Sequence, residues 1–271
     1  STLNLPIGRL ALLGTGVFMI GVTGNVTSIF SQVACFSTGV ILLFLVIRID
    51  SQVQKNRVFP SMPFSLNSPV GAANWILLLI STAPVAIGLY MPLAYQAIYG
   101  LSPIAAGYLG ALLALFWTLG TFLSAGLKLS AQPAALTMGP LMASLGILGV
   151  GLVMGDLSWL IIAAFTGLAG LGIGICMPHL MNWTMTLALK GEESITASSI
   201  QTVRSLGIAL AAAVAGIIAN TSGLDQGISQ ETVIDAIRWV ESLAATAPAA
   251  AIVLAIILVR HRKKITTEAS K

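Results

Sequence analysis

Long apolar runs, separated by short polar stretches, follow one another along most of the chain. Eight of these runs reach about 20 mainly apolar residues, the length that an α-helix needs to cross a lipid bilayer. Transmembrane β-strands are shorter and alternate apolar with polar residues, so the runs predict an all-α, polytopic membrane helix bundle with eight transmembrane helices. The predicted spans are Leu5–Val22, Thr27–Ile47, Ala73–Ile98, Ile104–Leu127, Pro133–Met154, Trp159–Leu187, Ala197–Asn220 and Leu243–Val259.

Two longer polar stretches interrupt this pattern. Residues 48–69 hold charged side chains and three prolines, which predicts a linker outside the membrane between the first two spans and the remaining six. Residues 221–238 form a second polar stretch, in which Ser229–Arg238 is predicted as a short interfacial helix with Ser229 as its N-cap. The predicted organisation is two linker transmembrane helices at 1–47, a polar linker at 48–69, a six-helix unit at 70–260 and a basic tail at 261–271.

The placement of basic residues predicts the orientation of the bundle. Short loops rich in Lys and Arg mark the cytoplasmic side of a membrane protein. With eight spans, the chain's 13 Lys and Arg residues all lie on one face except Arg238. We therefore expect a multi-pass protein of the cell inner (plasma) membrane, with both termini and the polar linker in the cytoplasm.

Composition excludes several classes of function. The chain is 56% hydrophobic and 8% charged, whereas soluble domains carry about 25% charged residues. A soluble enzyme or a nucleic-acid-binding protein could not cover its surface with so few charges. The sequence shows no catalytic motif, no metal-binding spacing and no cofactor signature, and Cys35 and Cys176 lie inside apolar runs. We therefore expect that the protein is not an enzyme and that it binds no cofactor, no metal and no nucleic acid. Its predicted partner is the lipid bilayer.

Two local arrangements point to a family. A Gly-rich run at 170–185 and a short acidic loop precede Arg204, Leu206, Gly207 and a stretch of small residues. Residues 90–112 combine Gln96 with a Gly-x-Ser-Pro turn and an Ala-Gly pair. Both arrangements resemble the major facilitator superfamily, specifically its branch of fourteen-helix drug:proton antiporters. The first is similar to the penultimate helix pair of that branch, and the second to the first hairpin of its C-terminal half.

The resemblance implies that residues 70–260 are the C-terminal six-helix half of a major facilitator fold. The chain would then hold the last eight helices, and its partner would be the missing N-terminal six-helix half, with a binding site at the interface of the two halves. The implied function is proton-coupled efflux of small hydrophobic or amphipathic compounds by alternating access. Two alternatives stay open: export of a metabolite, amino acid or siderophore by the same fold, and a non-transporting membrane scaffold.

The acidic residues bear on proton coupling. All nine Asp and Glu residues fall in loops, in the linker or at the ends of the predicted spans. A buried carboxylate able to carry protons is therefore not predicted within this chain. We expect the coupling residues in the absent N-terminal half, where the resemblance also places them.

Polar and aromatic side chains in the spans are candidates for a substrate cavity. Aromatic faces and hydroxyls with few fixed charges suit an amphipathic or apolar cation. The alternative for each aromatic residue is packing between helices or exposure to lipid. The substrate-cavity candidates are Ser81, Thr82, Tyr90, Tyr95, Gln96, Trp117 and Thr121.

A second group is expected near the cytoplasmic face. The candidates for a cytoplasmic gate are His179, Asn182, Trp183 and Arg204. For His179 the alternative is a structural hydrogen bond near the interface. Arg204 is expected in the first turn of its span, where it either snorkels to lipid headgroups or pairs with Glu192 or Glu193 across the short loop.

Small residues at four-residue spacing predict close helix packing. Gly170 and Gly174 form a Gly-xxx-Gly pair, and Gly207 begins a similar series on the next span. Such positions let two membrane helices approach each other closely, so we predict that these three glycines lie at helix contacts.

Overall fold

The computed structural model describes residues 6–26, 28–53 and 55–269, with side chains described as far as Arg262. Leu5 and Thr27, the predicted first residues of the first two spans, lie outside the described residues. The described residues form helices and no strand, which confirms the all-α prediction. The helices are α1 (Ile7–Val22), a short 3-10 helix (Thr23–Asn25), α2 (Ile29–Ser51), α3 (Pro69–Ile80), α4 (Ala83–Ala97), α5 (Pro103–Gly110), α6 (Leu112–Ser124), α7 (Gln132–Val153), α8 (Trp159–Thr186), α9 (Glu193–Thr221), α10 (Gln230–Ala244) and α11 (Thr246–Ala269).

Three pairs of consecutive helices each form one long span. These pairs are α3 with α4, α5 with α6, and α10 with α11. Counted this way, seven helices in the described part of the chain are long and apolar enough to cross a membrane, and α1 is a shorter apolar helix of 16 residues. Together they match the eight predicted segments, so the chain is a multi-pass membrane helix bundle.

Contacts at the two ends of the bundle agree with helices that alternate in direction. At one end of the bundle, Arg9 pairs with Asp50, and Arg57 pairs with Glu192. We call this the linker end. At the opposite end, which we call the far end, Tyr99 donates a hydrogen bond to the carbonyl oxygen of Leu157 (3.0 Å). This division agrees with an even number of crossings between the two termini.

The linker is anchored on the last turn of α2. That helix continues to Ser51, beyond the predicted end of the second span. The buried carboxylate of Asp50 pairs with Arg9 and accepts hydrogen bonds from the backbone N–H groups of Val58 (2.9 Å) and Phe59 (2.8 Å). Asp50 therefore holds α1, α2 and the linker together.

The last span begins earlier than predicted. Residues 229–238 are not a separate interfacial helix, because α10 begins after Ser229 and continues to Ala244, with only Ala245 between it and α11. Ser229 does cap the helix, in a capping box with Thr232. Helix α10 packs against α4, α7 and α9. The buried residues of α10 are Val233, Ala236, Ile237, Val240 and Glu241, whereas Glu231, Asp235 and Trp239 are exposed.

The close packing of α6 on α8 depends on glycine. A Cβ atom on Gly170 would lie 2.5 Å from the carbonyl oxygen of Leu113, and one on Gly174 would overlap the carbonyl oxygen of Trp117. On α9, a Cβ atom on Gly207 would overlap the carbonyl oxygen of Leu78 in α3. In each case the obstacle is backbone, so a side chain at these positions would force the helices apart.

Candidate functional site

An apolar cavity of about 250 Å³ lies between the α3–α4 span, α9 and the α10–α11 span. The polar side chains in its wall are Thr82 and Thr246. Both hydroxyls donate hydrogen bonds within their own spans, to the carbonyl oxygens of Leu79 (2.7 Å) and Leu243 (2.6 Å). Each hydroxyl oxygen is then left with acceptor capacity only. The cavity therefore suits an apolar molecule that carries a donor or a positive charge.

Two local features of the sequence create this space. The α3–α4 span breaks at Ser81 and Thr82, two residues ahead of Pro84, which lacks an N–H group and collides with the carbonyl group four residues before it. The facing positions on α4 and α9 carry small side chains, namely Ala86, Ala211 and Ala215. The break and the missing side-chain volume leave the three spans separated at this point.

A second cavity of about 750 Å³ adjoins the first towards the far end. The two share Ile218, Leu243 and Thr246 in their walls. The larger cavity is more polar, and its wall includes the exposed side chains of Asp235 and Trp239. Asp235 thus places a carboxylate beside the larger cavity, whereas the wall of the smaller one is apolar apart from Thr82 and Thr246.

Among the predicted cavity residues, Thr82 lines the 250 Å³ cavity. Tyr90 packs beside it, against Ala86 and Ala215, with its hydroxyl 3.5 Å from the carbonyl oxygen of Ala215. Ser81 is buried, and its hydroxyl donates to the carbonyl oxygen of Leu77 (2.6 Å).

The other four candidates lie elsewhere in the bundle. Tyr95 is fully buried, with its ring 6.4 Å from that of Tyr99. Gln96 is exposed and donates to the carbonyl oxygen of Pro92 in its own helix. Thr121 lies where α6 meets α8, and its hydroxyl donates to the carbonyl oxygen of Trp117 (3.0 Å). The structure therefore does not bring these four side chains to the cavity.

Two of the gate candidates tie helices together at the linker end. The Nε2–H group of His179 donates to the carbonyl oxygen of Ser124 at the end of α6 (3.0 Å). The indole N–H group of Trp183 donates to the side chain of Gln132 in α7 (2.7 Å). The guanidinium of Arg262 in α11 lies 3.9 Å from the centre of the Trp183 ring, a cation–π contact. Asn182 does not join this cluster, because its side chain is exposed.

Arg204 differs from the prediction. Helix α9 already begins at Glu193, so Arg204 lies about three turns inside the span rather than in its first turn. Its Nη1 donates to Gln201 Oε1 (3.2 Å), and its Nε has no hydrogen-bond partner among the described residues. Glu192 accepts instead from the linker, from Arg57 Nη1 (3.2 Å) and the Ser61 N–H (2.9 Å). The expected pair of Arg204 with Glu192 or Glu193 is therefore not formed.

The surroundings of Arg204 are polar and uncovered. Ser194, Ser198, Gln201 and Ser205 are exposed on α9 at spacings of three or four residues, which places them on one face of the helix. A polar face that includes an arginine is costly against lipid and is normally turned towards protein or a water-filled cavity. The spacing of these residues can be read from the sequence, but their exposure in the bundle cannot.

Replacing His179 by alanine tests the structural role of the linker-end cluster. The change removes the hydrogen bond that joins α8 to the carbonyl oxygen of Ser124, which keeps the N–H of Leu127 (3.1 Å) as its other donor, so the loss is about 1 kcal/mol. We expect a lower melting temperature of the detergent-solubilised protein, measured by scanning fluorimetry. The exposed neighbour Asn182→Ala is the control, with a change of about 0.5 kcal/mol or less. Equal melting temperatures of the two variants would contradict the assignment.

No family model matches the chain. It is 30% identical over 235 residues to proteins of two Mycobacterium tuberculosis strains, CDC 1551 and H37Rv, each named a probable multidrug-efflux transporter. The matched region covers 82% of this chain and 48% of each relative. The chain therefore spans about half the length of the curated relatives it matches.

Proposed function

We propose that this chain is the C-terminal part of a proton-coupled exporter of small hydrophobic or amphipathic compounds, of the fourteen-helix branch of the major facilitator superfamily. The observation that carries the proposal is the 250 Å³ cavity between three spans, with its apolar wall and two hydroxyl acceptors. Such a wall takes apolar compounds of varied shape, because little in it requires a specific hydrogen-bonding pattern. The similarity to proteins named multidrug-efflux transporters supports the same function.

The uncovered polar face of α9 supports a larger assembly. In the proposed transporter, residues 70–260 face an N-terminal six-helix half, and the polar face around Arg204 borders the water-filled space between the halves. The length of the relatives, about twice the matched region, agrees with this arrangement. The linker end, which carries Arg9, Arg57 and Arg262, would be cytoplasmic by the distribution of basic residues.

Alternating access explains how the cavity would export its ligand. The two six-helix halves would rock about a site near the middle of the membrane and open it to each side in turn. A proton moving inwards would supply the free energy for moving the compound outwards. Helices α6 and α8, packed backbone to backbone, would move as one rigid element.

The composition of the cavity wall also favours one of the possible substrate classes. An amino acid carries two ionised groups, and each needs a charged or strongly hydrogen-bonding partner when it leaves water. The wall of the 250 Å³ cavity offers no ionised side chain. The cavity thus favours hydrophobic compounds over amino acids and other highly charged metabolites.

Filling the cavity tests the proposal. In cells that express the complete gene product, Ala211→Trp on α9 should reduce proton-driven efflux of the fluorescent cation ethidium at least tenfold. The indole would occupy the space that the alanine leaves free. The readout is intracellular fluorescence over time, with and without a protonophore, together with the amount of inserted protein.

The matched control is Leu145→Trp, which adds an indole at an exposed position of α7 away from the cavity. We expect it to export ethidium at the rate of the parent. A parent protein with no protonophore-sensitive efflux of any lipophilic cation would overturn the proposed function and favour the scaffold alternative. Equal efflux by the parent and Ala211→Trp would show that the substrate binds elsewhere.

A further inference from the structure

Glu241 is a buried acid inside a membrane span, which the sequence pattern did not reveal. It was expected at a span end, but it lies in α10, about 16 Å along the last span from Gln230. The residue is 0% exposed, and neither carboxyl oxygen has a hydrogen-bond partner among the described residues. A Cβ atom on Gly151 would lie 3.1 Å from the Cβ atom of Glu241, so α7 approaches α10 closely here.

The cation nearest to Glu241 along α10 is already engaged. Arg238 precedes Glu241 by three residues and therefore shares its side of the helix. Its Nη2 pairs with Asp156 (2.5 Å), and its Nε donates to the carbonyl oxygen of Met154 (3.1 Å). Arg238 thus joins α10 to the end of α7 at the far end and leaves Glu241 without a counter-ion.

The helices around Glu241 carry few other titratable groups. Helix α7 contains none, and α4 contributes the phenols of Tyr90 and Tyr95. Asp235 on α10 lines the larger cavity. The ionisable residues of α9 and α11 lie nearer the linker end, at Glu193, Arg204, 260–264 and Glu268. An ionised Glu241 in this arrangement would therefore be a buried charge without a compensating partner, which is strongly unfavourable.

We propose that Glu241 is a proton-binding group of the exporter. This inference rests on the proposed function and deepens it by assigning a proton site within this chain. The carboxylate takes one proton from water at the far end and is then buried as the neutral acid. When the site turns towards the linker end, the same O–H bond breaks and the proton leaves to water on that side. One proton enters for each compound that leaves, and no further reactant is required.

The charge on Glu241 would determine which carboxylate Arg238 pairs with. Side chains three residues apart on a helix can reach each other, so an ionised Glu241 would attract Arg238 away from Asp156. Binding of a proton would return Arg238 to Asp156 and close α10 onto α7. The exchange of partners couples the proton on Glu241 to the position of α10, whose opposite face borders both cavities.

The decisive experiment compares Glu241→Gln with the parent in proteoliposomes that contain the complete gene product. Two rates of ethidium movement are measured: uphill transport driven by a pH gradient, and exchange without any gradient. We expect the glutamine variant to lose at least tenfold in driven transport while exchange stays within about twofold. Glu231→Gln is the matched control, an exposed acid in the first turn of the same helix, and should retain both rates.

Each outcome bears on a different statement. If the parent and Glu231→Gln pump ethidium and Glu241→Gln pumps equally well, the proton site is elsewhere and this inference is overturned. If the parent shows no driven transport, the proposed function fails. Should the glutamine variant not insert, labelling of the parent with the hydrophobic reagent dicyclohexylcarbodiimide replaces it, since this reagent modifies protonated carboxyl groups in membranes. Mass-spectrometric modification of Glu241 that falls as the pH rises supports the inference, and absence of modification overturns it.

Discussion

Replacing Gly174 by leucine should separate α6 from α8 and sharply reduce the amount of folded protein. The position has no room for a Cβ atom, because the carbonyl oxygen of Trp117 occupies that place. A change of side-chain rotamer cannot relieve a clash with backbone, so the cost lies at the upper end of overpacking effects, about 3 kcal/mol. We expect the melting temperature in detergent to fall by roughly 10 °C, with a matching loss of monodisperse protein in size-exclusion chromatography.

Gly88→Leu is the control for this change. Gly88 lies inside α4, is exposed, and would have no heavy atom within 4 Å of an added Cβ. Leucine is also the better helix former, so this variant should be as stable as the parent or slightly more stable. A Gly174→Leu protein with the parent's melting temperature would show that α6 and α8 are not in backbone contact.

Replacing Asp50 by alanine should release the linker from the end of α2. The change leaves Arg9 and two backbone N–H groups without the buried carboxylate that binds them. Removing one member of a buried ion pair costs about 3 to 5 kcal/mol. We expect a large loss of stability and faster cleavage by trypsin after Lys55 and Arg57, measured by gel electrophoresis of the detergent-solubilised protein.

Asp156→Ala provides the comparison for Asp50. Asp156 also pairs with an arginine, but its side chain is 66% exposed, and exposed ion pairs contribute about 0 to 1 kcal/mol. Its removal should leave the melting temperature nearly unchanged and the linker as resistant to trypsin as in the parent. Equal trypsin sensitivity of the two variants would refute the role of Asp50 as the anchor of the linker.

The two variants test parts of the molecule with different roles in the proposed mechanism. Gly174 lies within the rigid contact of α6 and α8, whereas Asp50 connects the first two helices to the linker. Neither residue lines a cavity among the described residues. Replacing Gly174 or Asp50 should therefore lower the stability of the protein. Ala211→Trp and Glu241→Gln should instead lower the transport rate of protein that is correctly folded.

The candidate site was only partly predictable from sequence. Thr82 was named for its hydroxyl and its depth in a span, and it lines the cavity. Trp117 was named on the same grounds, yet it lies at the contact of α6 with α8. Spans that are apolar on all sides give no indication of which side is buried. The depth of a residue in its span could therefore be read from the sequence, but the side of the helix that faces the cavity could not. Ala211 and Ala215 contribute to the cavity because their side chains are small. The sequence contains many alanines, so these two could not be distinguished from the others.

The sequence by itself determined the number of membrane segments and the separation of the linker from them, because the length of an apolar run is a local property. It also predicted that all basic residues except Arg238 lie on one face of the membrane. Only the tertiary structure decided that Glu192 binds the linker rather than Arg204, and that Glu241 is buried while Glu231 on the same helix is exposed. The physical reason is that these outcomes depend on which helix covers each side chain, and that is set by packing between residues far apart along the chain.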